Sequence, residues 1–139
     1  RFGFMKHSPQ KISKVDWVTG GCMMVSKKIF EKIGGFDKNI FMYMEDMELC
    51  FRAKKEGFAT YFFPATQVLH SSQGSSNRTF AIVHIYQGIL YFYRKYMPQW
   101  EVFLVQCLLR LKASLLVSIG RLTGNSYLRI TYEKALASI

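Results

Sequence analysis

Glu45 and Asp46 are adjacent carboxylates set directly after Phe41-Met42-Tyr43-Met44. A carboxylate against apolar walls is paired, hydrated or working, because an unpaired buried charge is expensive. The working reading makes Asp46 a general base, which takes the proton of an attacking hydroxyl. The plainer reading is two acids complementing the positive end of a helix dipole, and spacing alone favours it. A second group is Trp17 with Gly20-Gly21. Glycine inside a strand-like run marks either a close approach of backbone or ligand, or a bulge. His70 precedes the polar run Ser71 to Asn77, a candidate active-site loop. A lone histidine at a strand end is more often a hydrogen-bonded structural residue than a ligand.

These residues need elements to hold them. Val15 to Val25 reads as a buried strand interrupted by Gly20-Gly21. Ser26 is a helix N-cap, with Ile29, Phe30 and Ile33 at helical spacing and Gly34 or Gly35 as the left-handed stop. Glu45 to Glu56 reads as a second helix, ended by Gly57. It lacks a Ser, Thr or Asn cap, so Glu45 or Asp46 serves as its own, and Glu48 with Arg52 makes an i,i+4 pair. Ala59 to Phe63 and Thr66 to His70 are β-rich segments joined at Pro64. A long helix runs from Arg78 to Met97 and is stopped by Pro98. Trp100 to Leu122 is an amphipathic helix with a wide apolar face, and a last short helix runs from Asn125 or Ser126 to about Ala137. Arg110 and Lys112 break the apolar run of the Trp100 to Leu122 helix short of the ~20 residues a membrane-spanning helix needs.

Three groups of residues carry a family resemblance. They are Gly34-Gly35-Phe36-Asp37, then Phe41-Met42-Tyr43, then Glu45-Asp46-x-Glu48-Leu49-Cys50-x-Arg52. Together they resemble the acceptor-side half of family 2 glycosyltransferases, most closely the rhamnosyltransferase-like enzymes of bacterial cell-surface polysaccharide synthesis. The likeness extends upstream through Trp17 to Val25 and downstream to Gly57, Pro64, His70 and Ser75. It covers roughly Val15 to Ser76, and several ordered motifs at family-like spacing make it specific. It reverses the balance at Asp46.

The resemblance implies an α/β fold: the C-terminal half of a GT-A nucleotide-diphospho-sugar transferase, built on a mainly parallel sheet, with a C-terminal helical appendage. Residues 1–77 would be the acceptor-side part of the catalytic domain and 78–139 the helical region. It implies an inverting single displacement from a nucleotide-sugar donor to a glycan or lipid-linked acceptor. Asp46 would be the base, and Glu45 would hydrogen-bond the acceptor or orient Asp46. Trp17, Gly20, Gly21 and Arg52 would line the substrate cleft. A divalent ion, Mg²⁺ or Mn²⁺, would sit on the diphosphate, with His70 as a helper. Its principal ligands would lie outside this chain, which starts at Arg1 and contains no Asp-x-Asp. The expectation is therefore a fragment without the donor-binding half, inactive in isolation.

Composition narrows the partners. The 139 residues carry a net charge of +10 and are half hydrophobic, which argues for one folded domain and against disorder. A basic chain wants an anionic partner. The Lys and Arg residues are spread out and no recognition motif is present, so nucleic acid is not expected. An anionic membrane surface or a lipid diphosphate fits better. Cys22, Cys50 and Cys107 are far apart and odd in number, all in apolar contexts where buried free thiols are common. That suits a reducing cytoplasm, with the protein peripheral to the inner face of the plasma membrane. The rival class is a non-catalytic membrane-surface or oligomerisation module, in which the Trp100 to Leu122 helix forms a membrane contact or a homodimer seam.

Overall fold

The structure is a computed structural model and describes residues 10–66, 68 and 77–139. Its elements in chain order are β1 (Ser13–Val15), a 3-10 turn (Gly20–Cys22), α1 (Lys27–Lys32), α2 (Glu45–Lys55), β2 (Thr60–Phe62), α3 (Arg78–Tyr96), α4 (Gln99–Leu122) and α5 (Ser126–Ala137). The chain divides into two compact units. One holds Arg1–Ile40 with Glu45–Ser72; the other holds Phe41–Met44 with Gln73–Ile139.

The first unit is organised by glycine stops. The Gly35 N–H donates to the Phe30 carbonyl at 2.8 Å and the Gly34 N–H to the Glu31 carbonyl at 3.1 Å. That is the paired Schellman closure; Gly34 takes the positive φ it requires (81°), and Gly35 after it is also left-handed (68°). The same closure ends α2, where the Phe58 N–H reaches the Ala53 carbonyl and the Gly57 N–H the Lys54 carbonyl. Asp37 then makes an Asx turn, its Oδ1 accepting from the Asn39 backbone N–H at 2.9 Å. Ile33, Ile40, Leu49 and Cys50 are buried. Ser26 stands at the N-cap of α1 without a side-chain capping bond.

The one strand pair among the described residues is β1 with β2, antiparallel, Ser13 opposite Phe62 and Val15 opposite Thr60. The described part is thus mostly helical with a small two-stranded sheet, and the mainly parallel sheet expected from the resemblance is not what these residues build. Each strand is three residues long and partly exposed, whereas parallel strands are normally buried on both faces. The long strand expected over Val15 to Val25 is also corrected. It stops at Val15, and Gly20–Cys22 curls into a turn whose N-cap Thr19 accepts the Gly21 N–H. The Thr66 to His70 segment falls largely outside the described residues.

Among the described residues the second unit holds three helices, α3 to α5. Asn77 caps α3 by accepting the Phe80 N–H at 2.8 Å, and Asn125 caps α5 by accepting the Leu128 N–H at 3.1 Å. Its core gathers Tyr86, Ala113 and Ala135, with Ile82, Val83, Leu109, Tyr132 and Leu136 packed around them. The buried Thr131 hydroxyl bonds to the Thr79 hydroxyl at 2.7 Å and so joins α3 to α5. Gly120 lets α4 and α5 touch backbone to backbone: a Cβ there would lie 2.7 Å from the Arg129 nitrogen. By length and composition α4 is apolar enough to cross a membrane, so Arg110 and Lys112 do not disqualify it as the sequence reading held. Of the cysteines only Cys50 is buried; Cys22 and Cys107 are exposed free thiols.

Candidate active site

Asp46 lies in the first turn of α2, where free backbone N–H groups point outward. Its Oδ1 accepts the Met47 N–H at 2.7 Å, the local capping bond the sequence called for. Its Oδ2 accepts the Gly20 N–H at 2.8 Å. The second bond crosses 26 residues of sequence and fixes the carboxylate against the 3-10 turn. Gly20 is suited to this. Even a Cβ on it would stand 3.5 Å from the Asp46 Cβ and 4.0 Å from Glu45 Oε1, so the turn and both carboxylates are neighbours. An ionised carboxylate has about four acceptor positions. Two are used here, which leaves room for a hydroxyl.

Glu45 is the less satisfied of the two. Its Oε2 is buried and has no hydrogen-bond partner among the described residues. A buried polar atom left without a partner costs about 1–3 kcal/mol. Such an atom beside a pinned carboxylate is a ready acceptor for a ligand hydroxyl.

The structure therefore brings together Gly20, Glu45 and Asp46, with Gly21 and the partly exposed Trp17 on the same stretch. Arg52 has another task. Its Nε donates to both Glu48 oxygens at 2.8 and 2.9 Å, its Nη2 donates to the Gly35 carbonyl at 2.5 Å, and its Nη1 to the Ile33 carbonyl. Glu48 is fully buried. The guanidinium thus neutralises a buried carboxylate and closes the C-terminal carbonyls of α1, where a cation complements the helix dipole. The predicted i,i+4 pair is present. These bonds make Arg52, expected in the substrate cleft, a clamp between α2 and the Gly34-Gly35 stop. His70 lies outside the described residues.

A divalent ion finds no ready nest here. No group of three or more His, Cys, Asp or Glu side chains converges among the described residues, and both Asp46 oxygens already face backbone N–H groups. A cavity of about 240 Å³ runs along Lys14, Asp16, Lys54 and Thr60, apart from the residues above. There Lys54 bonds Asp16 at 2.7 Å and holds its carboxyl below the usual carboxylate range.

Two features of the Phe41–Met44 segment are not evident from motif spacing. Tyr43 and Met44 both take positive φ (64° and 74°), which is rare for residues other than glycine. They rest on α3 at Gly88: a Cβ there would lie 2.9 Å from Met44 Cγ and 3.3 Å from the Tyr43 carbonyl oxygen. An isolated glycine inside a helix was the available signal. Phe80, stacked on His84 at 3.8 Å, and Phe41, edge-on to Phe80 at 6.5 Å, hold the start of the same loop.

Residues 2–85 match the family model described as glycosyltransferase like family 2. Over 64 residues the chain is 41% identical to an N-acetylglucosaminyl-diphospho-decaprenol L-rhamnosyltransferase of Mycobacterium tuberculosis, covering 46% of this chain and 21% of that protein. It is 36% identical over 75 residues to rhamnosyltransferase WbbL of Escherichia coli, covering 54% and 28%. It is 29% identical over 92 residues to the low-salt glycan biosynthesis hexosyltransferase Agl10 of Haloferax volcanii, covering 66% and 29%. The chain thus matches between 21% and 29% of the length of these relatives. No solved structure matches it.

Proposed function

Since the chain belongs to glycosyltransferase like family 2, whose model spans residues 2–85, we propose that it supplies the acceptor side of a GT-A sugar transferase. The donor is a nucleotide sugar, with rhamnose the first candidate, and the acceptor a glycan or lipid-linked saccharide of cell-surface polysaccharide synthesis. Two relatives named as rhamnosyltransferases, one of them for a diphospho-decaprenol substrate, support this choice. On this reading the reaction takes place on the cytoplasmic side of the membrane. A divalent ion, when bound, would offset the diphosphate charge. It is assigned to residues other than those described, and no step below runs through it.

The observation that carries the proposal is the pair of a pinned Asp46 and an orphaned Glu45 oxygen at one helix start. An acceptor hydroxyl seated there donates toward Asp46, and Glu45 takes a second hydroxyl of the same sugar. The hydroxyl oxygen bonds to the anomeric carbon while the bond from that carbon to the diphosphate oxygen breaks. The electron pair leaves with the diphosphate and the proton passes to Asp46. Attack from the face opposite the leaving group inverts the anomeric centre. The two backbone N–H bonds hold the carboxylate in orientation, so little reorganisation is needed at the moment of transfer. Trp17 offers a ring for the apolar face of a sugar.

The test is Asp46→Asn in the full-length enzyme. Loss of the base should lower turnover by about 10²–10⁴-fold. Because both carboxylate oxygens accept N–H groups, the amide will turn its NH₂ toward one of them. A stability loss of about 1 kcal/mol should accompany the change, and turnover is therefore measured well below the melting temperature of the variant. Turnover near that of the parent protein would remove Asp46 from the role.

A further inference from the structure

We propose that the outward face of α4 docks on an anionic lipid bilayer, with the helix lying in the plane of the headgroups. Trp100, Leu104, Leu108, Leu111, Leu115 and Leu122 are all at least 50% exposed. The opposite face is spent on packing: Val102, Ala113, Val117 and Gly120 are buried. A helix with one face in the protein and the other apolar and wet has a partner still to meet.

The spacing of the exposed stripe bears on what that partner is. Its steps are four, four, three and four, and a further seven reaches Leu122. This is an eleven-residue pattern, about 3.67 residues per turn, close to the period of a straight helix. A left-handed two-helix seam wants about 3.5. The stripe is therefore laid out to face something flat over the full length of α4, about 36 Å for 24 residues.

The charges choose the kind of surface. On the helix, Arg110 and Arg121 fall to one side of the stripe and Lys112 to the other, which is the arrangement of an interfacial helix. Residues 77–139 carry eight Lys and Arg against Glu101 and Glu133, a net charge of +6. Arg121 is paired with Glu133 at 2.9 Å, and Arg110 donates to the Ile139 main-chain oxygen at 3.0 Å. Trp100 sits at the N-terminal end of the stripe, and indole rings settle at headgroup depth. Crossing the bilayer fits less well than lying on it. α5 is held against α4 through Gly120, and a crossing would carry Arg129, Glu133 and Lys134 into hydrocarbon. This proposal rests on the surface of the helical unit and stands whether or not Asp46 is the base.

The experiment is co-sedimentation of the purified chain with vesicles of phosphatidylglycerol or of phosphatidylcholine, beside sedimentation velocity without lipid. Binding to the anionic vesicles should be at least about tenfold tighter at low salt and should weaken as salt rises, since exposed charges are screened. Leu108→Ser, Leu111→Ser and Leu115→Ser together should reduce it by about tenfold or more. All three side chains point outward, so the helical signal in circular dichroism should be kept. Lys112→Glu alone should weaken anionic binding and leave the fold intact. Equal binding by the parent and the triple variant would overturn the proposal. So would a parent chain that ignores vesicles and sediments as a dimer, with the triple variant a monomer.

Discussion

Gly88→Ala probes how the site is positioned, by adding one methyl group to α3. In a helix interior this exchange ordinarily stabilises by about 1 kcal/mol. Here the new Cβ would stand 2.9 Å from Met44 Cγ, 3.1 Å from Met44 Cβ and 3.3 Å from the Tyr43 carbonyl oxygen. Met44 Cγ can swing aside; its Cβ and the Tyr43 carbonyl move only with the backbone. Overpacking of this kind costs typically 1–3 kcal/mol, so the net effect on stability should be a loss of about 0–2 kcal/mol. The effect on turnover should be larger. Met44 is bonded to Glu45, and a shift of the Tyr43–Met44 step enters the first turn of α2. A misplacement of about 1 Å in a catalytic group costs on the order of 10²-fold. We expect turnover of the full-length enzyme to fall by ten- to a hundredfold (an order-of-magnitude range from the same principle) while chemical denaturation shows only the small stability loss. The assay is initial-rate sugar transfer paired with a urea unfolding curve. A variant that gains about 1 kcal/mol, as an unconstrained helical glycine would, and keeps its turnover would refute the reasoning.

Two further outcomes follow from the same contacts. Arg52→Ala leaves the fully buried Glu48 carboxylate without its guanidinium and should cost about 3–5 kcal/mol, read as a lower unfolding midpoint; an unchanged midpoint with a raised KM would return Arg52 to the substrate cleft. The Tyr86 phenol is pushed up to about 12 by burial, with Tyr132 adding to it, and its hydroxyl has no partner among the described residues. A pKa raised in the folded state gives stability that is complete below the ordinary value near 10 and is lost as pH climbs toward 12, up to about 2–3 kcal/mol; Tyr86→Phe should abolish that alkaline loss in pH-resolved melting curves, and an unaltered curve would show that another group is responsible.

Much of the helical framework was legible because its punctuation is local. Gly34-Gly35, Gly57, Asn77, Pro98 and Asn125 each act on their own helix end, and the observed bounds of α1 to α5 agree with the sequence reading to within a residue or two. The misreadings were of things that depend on distant partners. Val15 to Val25 has β-rich composition, yet a strand persists only where β2 runs beside it. Asp46 as a helix-start carboxylate was readable; its bond to the Gly20 N–H was not, since nothing in 26 residues of intervening sequence encodes that distance. Glu48 with Arg52 was visible as an i,i+4 pair, but the carbonyls of Ile33 and Gly35 that the guanidinium also holds come from the stop that ends another helix. Gly88 and Gly120 were passed over because helical periodicity counts side chains and these two residues matter for lacking one.

The left-handed Tyr43–Met44 step has a consequence for engineering. Two ordinary residues held at φ of 64° and 74° store of the order of 1–3 kcal/mol each, and glycine would hold the same turn more cheaply. A programme of directed evolution that selects for heat resistance alone would be drawn to this joint and would relax it, changing how the chain enters α2 as it did so. Screens for hardier variants of the enzyme should therefore exempt residues 41–46 and Gly88 from mutagenesis and spend their diversity on the loops outside them, where added rigidity does not trade against turnover.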